Sequence, residues 1–274
     1  MDGWCHHFTL NKYYTMVNLK LDKQQLKIDA GELVGYQVNG HEYIHQKGSP
    51  GWRNADTEMF PIIGPTADAG FHVQTPRDIA VQDQHGLLRE LDYELVSQNE
   101  SAAVFQKTYK ARTPVPNSKY PKKSNKQFLF WTYDFGFQKQ FELTSSGLKI
   151  TFTISGERDT PFMLGYHPAF KLYSEKPEII AGDNVIALDG ILAVGSRALQ
   201  VSDCDEILLK DKKQLRIKTE GFGNFMLWTE VTNMVCIEPI TFYPYAIEQR
   251  NLHEGFQFLK ESDKVFNVHI GVDE

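Results

Sequence analysis

Cysteine is scarce. Cys5, Cys204 and Cys236 are the only three in 274 residues, and they have no paired spacing. That excludes a disulfide-stapled scaffold and points to a reducing compartment. No apolar run approaches the ~20 residues of a membrane-spanning helix. Positive charge is in deficit: 29 Lys and Arg against 35 Asp and Glu leave a net charge of −6. A nucleic-acid surface is therefore not expected. The opening residues, Met1-Asp2-Gly3-Trp4-Cys5-His6-His7, lack the basic-then-apolar order of a signal peptide. These absences together predict a cytoplasmic protein. Helical periodicity is also missing, as are a phosphate-cradling glycine loop and a cysteine nucleophile.

What is present is alternation. Aromatic residues reach 12%, with 18 Phe and 12 Tyr, a composition that favours strands and suits a site that stacks rings on sugars. Strand-like runs begin at Asn18-Leu19-Lys20-Leu21 and Gln25-Leu26-Lys27-Ile28-Asp29. Leu33 to Val38 follows, then the hairpin signal Asn39-Gly40, then Tyr43-Ile44-His45. Further runs are Ala103–Lys107, Gln127–Tyr133, Phe137–Leu143, Leu148–Ser155, Asn184–Leu188, Gln214–Thr219, Phe225–Glu230, Met234–Ile237 and Val265–Val272. Many short strands with frequent turn signals predict an all-β sandwich or barrel. The polar stretch from Ala111 to Lys126 reads as a loop, because the strands on either side look alike. The chain reads as a single domain from residue 18 to 274, with residues 1–17 as an N-terminal extension.

One motif is rejected on geometry. His41-Glu42-Tyr43-Ile44-His45 matches the H-E-x-x-H pattern of zinc peptidases. That chemistry needs a helix, where positions i and i+4 meet at one metal. Here the motif lies between Asn39-Gly40 and Lys47-Gly48-Ser49-Pro50-Gly51, in a stretch that alternates like a strand. On a strand the two imidazoles sit ~13 Å apart, too far to share a zinc. No metal is expected.

Three islands carry the chemistry: Gln84-His85-Gly86-Leu87-Leu88-Arg89, Gly165-Tyr166-His167-Pro168-Ala169-Phe170 and Cys236-Ile237-Glu238-Pro239-Ile240. Each sets a titratable residue beside Gly or Pro, in or next to a strand. Two histidines and one carboxylate suffice for proton transfer in both directions near neutral pH, with no cofactor. Each also has an ordinary structural account. His85 could be a turn residue, His167 a satisfied core histidine, Glu238 a strand end, and Trp52 and Trp228 core or rim residues.

In this order the islands resemble those of the aldose 1-epimerases, or galactose mutarotases, most closely the divergent bacterial branch of galactose mutarotase-like proteins. The run from Gly51-Trp52-Arg53-Asn54 to Phe60-Pro61-Ile62-Ile63-Gly64 is similar to that branch's first substrate-side loop. Leu227-Trp228-Thr229 and the ending from Gly255 to Ile270 fit as well. The resemblance covers residues 18–272. It implies a large antiparallel β-sandwich with an open cleft, and interconversion of the α and β anomers of an aldose without a cofactor. It further implies Glu238 as base, His167 as acid and His85 as a hydrogen-bonding partner near the ring oxygen. Arg89, Arg53, Asn54 and Trp228 would contact the sugar. The sequence departs from the branch at Pro65, where an arginine usually follows Gly64; Arg89 or Arg53 is the expected replacement. Asp183 and Asp189 lie in the region from which the family often contributes an aspartate. Two alternatives remain open. One is a hexose 6-phosphate substrate, for which Arg53, Arg77 and Arg89 are the available cations. The other is a non-catalytic carbohydrate-binding protein on the same fold.

Overall fold

A computed structural model of the chain describes residues 16–273. The proposed extension therefore lies outside the described residues up to position 15. Met16 and Val17 open the first strand, Met16–Leu21.

Two antiparallel sheets dominate. The larger has nine strands. Its middle is formed by Gln214–Glu220, Asp263–Asp273, Gly147–Ser155, Phe135–Thr144 and Ala102–Tyr109. The smaller has five strands, ordered Leu199–Val201, Asn224–Trp228, Met234–Ile240, Gly165–Lys171 and Asp56–Met59. A four-stranded sheet, from Met16–Leu21 to His41–Glu42, completes the bulk of the β structure. The fold is an all-β antiparallel sandwich, as the alternation predicted. Among the described residues the one α-helix is the seven-residue Leu188–Val194, and the other helical pieces are short 3₁₀ turns. No helix is long and apolar enough to cross a membrane.

The period of two in the sequence explains the layering. In Phe135–Thr144, burial alternates at every position, so Phe135, Phe137, Phe141 and Leu143 face the core. Gly147–Ser155 answers with Leu148, Ile150, Phe152 and Ile154. The two sheets meet where Phe152 packs against Tyr166 of the smaller sheet, with ring centroids 5.1 Å apart. Each such ring removes ~1.5–3 kcal/mol worth of apolar surface from water. Asn39-Gly40 forms the expected turn, both residues at positive φ (52° and 78°), between Glu32–Val38 and His41–Glu42. The segment 111–126 is mainly loop, although Val115–Pro116 pairs with Phe128–Leu129.

Candidate active site

All seven residues expected at the site line one cleft of about 620 Å³: Glu238, His167, His85, Arg89, Arg53, Asn54 and Trp228. They come from four distant parts of the chain, and the sheet register brings them together. Gly165 pairs with Ile240 and Ala169 with Cys236, which sets His167 directly opposite Glu238. Glu238 in turn pairs with Met226, and His167 with Thr57. Met226, Glu238, His167 and Thr57 thus form one row across the smaller sheet.

The prolines of the His-Pro and Glu-Pro islands have a structural consequence here. A proline cannot donate to a sheet ladder and is usually confined to edges or irregularities. Pro168 and Pro239 sit on neighbouring interior strands, and the pairing between those strands is interrupted at Tyr166–Pro168 and Ile237–Pro239. His167 and Glu238 face each other within this gap.

His85 reaches the cleft by a different device. His85 and Gly86 both have positive φ, 70° and 80°. A Cβ on Gly86 would lie 2.2 Å from the Phe60 carbonyl oxygen, so only glycine fits. The His85 N–H donates to the Gly64 carbonyl (3.1 Å), and the Gly64 N–H donates to His85 Nδ1 (3.2 Å). Nδ1 is therefore the acceptor, and the neutral ring carries its proton on Nε2, which lies 3.1 Å from the Gln84 amide nitrogen. That contact is satisfied when the amide oxygen faces the ring.

His167 Nε2 and Glu238 Oε1 are 3.3 Å apart. They touch without hydrogen-bond alignment: Glu238 Oε1 and His167 Nδ1 have no hydrogen-bond partner among the described residues. Glu238 is 1% exposed, His167 7% and His85 8%. Buried polar atoms left unpaired on a cleft floor are costly, and such sites are disproportionately functional. The His167 ring is stacked on Trp52 at 4.1 Å between centroids, with Trp228 edge-on at 6.1 Å. His85 stands edge-on to His167 at 6.3 Å.

Burial dominates the electrostatics. It pushes Glu238 up to about 8 from the ordinary carboxylate range, opposed by the positive charge of Arg89. Burial, then Arg89, holds His167 well below its usual value. His85 is lowered by burial, then by Arg89, His167 and Lys119. Near neutral pH the free site therefore carries one proton on the Glu238–His167 pair, resting on the carboxyl. Arg89 donates from Nε to the Glu58 carbonyl oxygen (3.0 Å), while its Nη2 is buried without a hydrogen-bond partner among the described residues.

A buried ionic cluster supports the cleft from below. Lys139 occupies an inward position of Phe135–Thr144, where alternation alone would place an apolar residue. Its ammonium lies 2.7 Å from Asp56 and 2.6 Å from Glu58, all three side chains being almost wholly buried. The Tyr166 hydroxyl also donates to Asp56 (2.7 Å), and the Leu33 N–H donates to the other oxygen (2.8 Å). This cluster fixes Asp56–Met59, the strand that pairs with His167 and whose Glu58 carbonyl holds Arg89.

Several contributors were not singled out as site residues by the sequence. Trp52, weighed as a core or rim residue although it belongs to the run that resembles the substrate-side loop, stacks on His167. Lys119 and Lys123, from the polar loop, line the cleft, as do Tyr245 and Met226. Arg77 does not: it pairs with Glu157 on the surface at 2.6 Å. Asp183 and Asp189 are exposed and do not line the cleft either. Pro65 lines a neighbouring hollow with Arg197 and Tyr245. In the H-E-x-x-H segment, Glu42 accepts hydrogen bonds from the Tyr36 and Ile44 N–H groups, and His45 Nε2 contacts the Trp52 carbonyl at 2.8 Å. His41 packs against Tyr173 instead, the rings tilted at 36° with centroids 4.5 Å apart.

Known structures share this architecture. The fold is similar to a galactose mutarotase-like protein from Lactobacillus casei, at a TM-score of 0.75 and 16% identity, covering 94% of this chain and 100% of that one. It is similar to a galactose mutarotase related enzyme from Lactobacillus acidophilus, at a TM-score of 0.71 and 16% identity, over 95% and 100%. A galactose mutarotase-like protein from Clostridium acetobutylicum matches at 0.66 and 13% identity, over 96% and 100%. No curated protein sequence matches. The fold is thus that of the galactose mutarotase-like proteins. Residues 31–220 match the aldose 1-epimerase family, and the chain belongs to that family.

Proposed function

We propose that the protein is a mutarotase that interconverts the α and β anomers of an aldose by general acid–base ring opening and closure. The observation that carries this reading is the opposed His167–Glu238 pair on the floor of an open cleft, with His85 beside it. Ring opening removes a proton from the anomeric hydroxyl and delivers one to the ring oxygen. The C1–C2 bond then rotates, and closure reverses both transfers. A pair that holds one proton in total serves this cycle without gaining or losing charge. For turnover the proton that rests on the Glu238 carboxyl in the free site must first pass to His167, which then serves as acid while Glu238 is the carboxylate base. The carboxylate and imidazolium stabilise each other at 3.3 Å. His85, donating from Nε2, would stabilise charge near the ring oxygen. Trp52 and Trp228 supply apolar faces for the sugar, and Arg89 Nη2, Asn54 and Arg53 supply hydroxyl contacts. These residues act as one domain, with no cofactor, on a cytoplasmic sugar.

A hexose 6-phosphate is a second reading, favoured by one observation. Lys119 and Lys123 line the same cleft as Arg53 and Arg89, so several cations border it. A pure binding protein has no need of the proton-holding pair.

The test is NMR exchange or polarimetry on freshly dissolved α-glucose, α-galactose and glucose 6-phosphate. Catalysed anomerisation that disappears in Glu238→Gln supports the proposal, and the relative rates choose between free and phosphorylated sugars. Tight sugar binding without rate enhancement would replace it with a binding function.

A further inference from the structure

We infer that the cleft floor is also a site for a thiophilic divalent cation, held by His167, Cys236 and Glu238. The ligand atoms of these three side chains all lie within 4.8 Å of one another, and all three residues are buried. The strand explains the grouping. Cys236 and Glu238 are two apart on Met234–Ile240 and so share one face, while His167 stands opposite Glu238 on the next strand. A second, independent feature points to a ligand. Glu238 Oε1 and His167 Nδ1 are both unpartnered among the described residues, in side chains more than nine-tenths buried.

The donor set fits zinc. A thiolate, an imidazole and a carboxylate are borderline-soft ligands, and three protein ligands leave a fourth tetrahedral position open. His167 and Glu238 both line the cleft, which gives the ion a path of entry. Ala169 lies across from Cys236 in the register, so no large side chain sits over the sulfur from that strand. Trp52, Trp228 and Val231 pack against the small apolar cluster that Cys236 forms with Ala169 and Met234. The thiolate and carboxylate together balance the two positive charges of the ion, although nearby Arg89 weakens the site. Binding expels the thiol proton and the pair's shared proton to solvent.

Resting on the mutarotase reading, the consequence is inhibition. The cation occupies the lone pairs of His167 and Glu238 that proton transfer requires, so metal and turnover exclude each other. The protein would then be active only where free zinc is low.

The experiment is calorimetric titration of the full chain with Zn²⁺. The variants are Cys236→Ser and, as controls for other candidate ligands, Cys5→Ser and His41→Asn. The expected result is a single zinc per chain, weakened in Cys236→Ser by more than the ~10–100-fold that outer-shell partners alone contribute. Cys5→Ser and His41→Asn should bind like the parent. Absence of tight binding, or binding untouched by Cys236→Ser, overturns the inference. Should Cys236→Ser fold poorly, Co²⁺ titration of the Cys5→Ser/Cys204→Ser protein, in which Cys236 is the one remaining cysteine, replaces it. A sulfur-to-metal charge-transfer band, lost when zinc is added, supports the site, and its absence refutes it. A galactose arm separates the two readings. Zinc affinity that falls as galactose is added supports both. Zinc affinity that depends on Cys236 but ignores every sugar supports the metal site and counts against the mutarotase.

Discussion

Replacing Glu238 with Gln should abolish turnover and, at alkaline pH, make the protein more stable. The reason is the buried carboxyl. Its affinity for protons is raised from 4.5 to about 8, chiefly by burial. Between those two values the folded protein keeps the proton that the unfolded chain has released. Stability therefore falls as pH rises through that window and levels off above pH 8. The total penalty is on the order of 5 kcal/mol, from ~1.4 kcal/mol for each unit of pH across that window. Gln has nearly the same shape and no ionisation to suppress. The variant should match the parent near pH 4 and exceed it by several kcal/mol at pH 9. Urea melts at fixed pH values from 4 to 9 measure this directly. In the same variant, loss of the base should lower anomerisation by ~10²–10⁴-fold. That equals about 3–5 kcal/mol of transition-state stabilisation. A stability difference that does not grow with pH would refute the raised proton affinity. Turnover at the parental rate would refute the role as base.

Other consequences are open to measurement. The pH profile of kcat/KM should fall on the alkaline side near pH 8, where the Glu238–His167 pair loses its only proton, and on the acid side well below 6.5, where His167 gains a second. Arg89, Cys236, His85 and Tyr245 lie near the pair, Arg53, Lys119, Lys123 and Glu230 also line the cleft, and a flat profile from pH 6 to 9 would contradict the assignment. Arg89→Ala should raise KM more than it lowers kcat. It should also move the alkaline limb upward, because Arg89 is what holds Glu238 down; steady-state kinetics at several pH values would detect a limb that fails to move. Lys139→Met strands Asp56 and Glu58 and should cost about 3–5 kcal/mol in guanidinium melts at pH 7. A loss below 1 kcal/mol would show that the cluster does not hold Asp56–Met59.

The local grammar of the chain was legible at once. Period-two alternation announced the strands that make up Phe135–Thr144 and Gly147–Ser155, because side chains on a strand must face opposite sides. Asn39-Gly40 announced its turn, because few residue pairs tolerate two positive φ values in succession. His85, His167 and Glu238 stood out because each is a titratable residue next to a Gly or Pro that the backbone has reason to require. Resemblance to a family, not spacing, attached roles to them. Elements with weak patterns were missed. Leu188–Val194 is only two turns long, and Val115–Pro116 is a two-residue strand held by its partner.

Tertiary structure alone decided the rest. Sequence could not show that residues 85, 167 and 238 meet: 167 and 238 depend on a register between Gly165–Lys171 and Met234–Ile240, some seventy residues apart, and 85 on a turn held against Gly64. Lys139 stands at an inward position of its strand, and only the fold brings it partners, Asp56 and Glu58, from another sheet. Only the fold sets Cys236 beside both a histidine and a carboxylate. Arg77 was separated from the cleft, and Lys119 and Lys123 were brought to it, by the path of a loop. The division has a physical cause. Strand identity and turn type are fixed by a residue and its near neighbours. Charge state, by contrast, depends on burial and on which side chains face each other, and only the packed sandwich determines those.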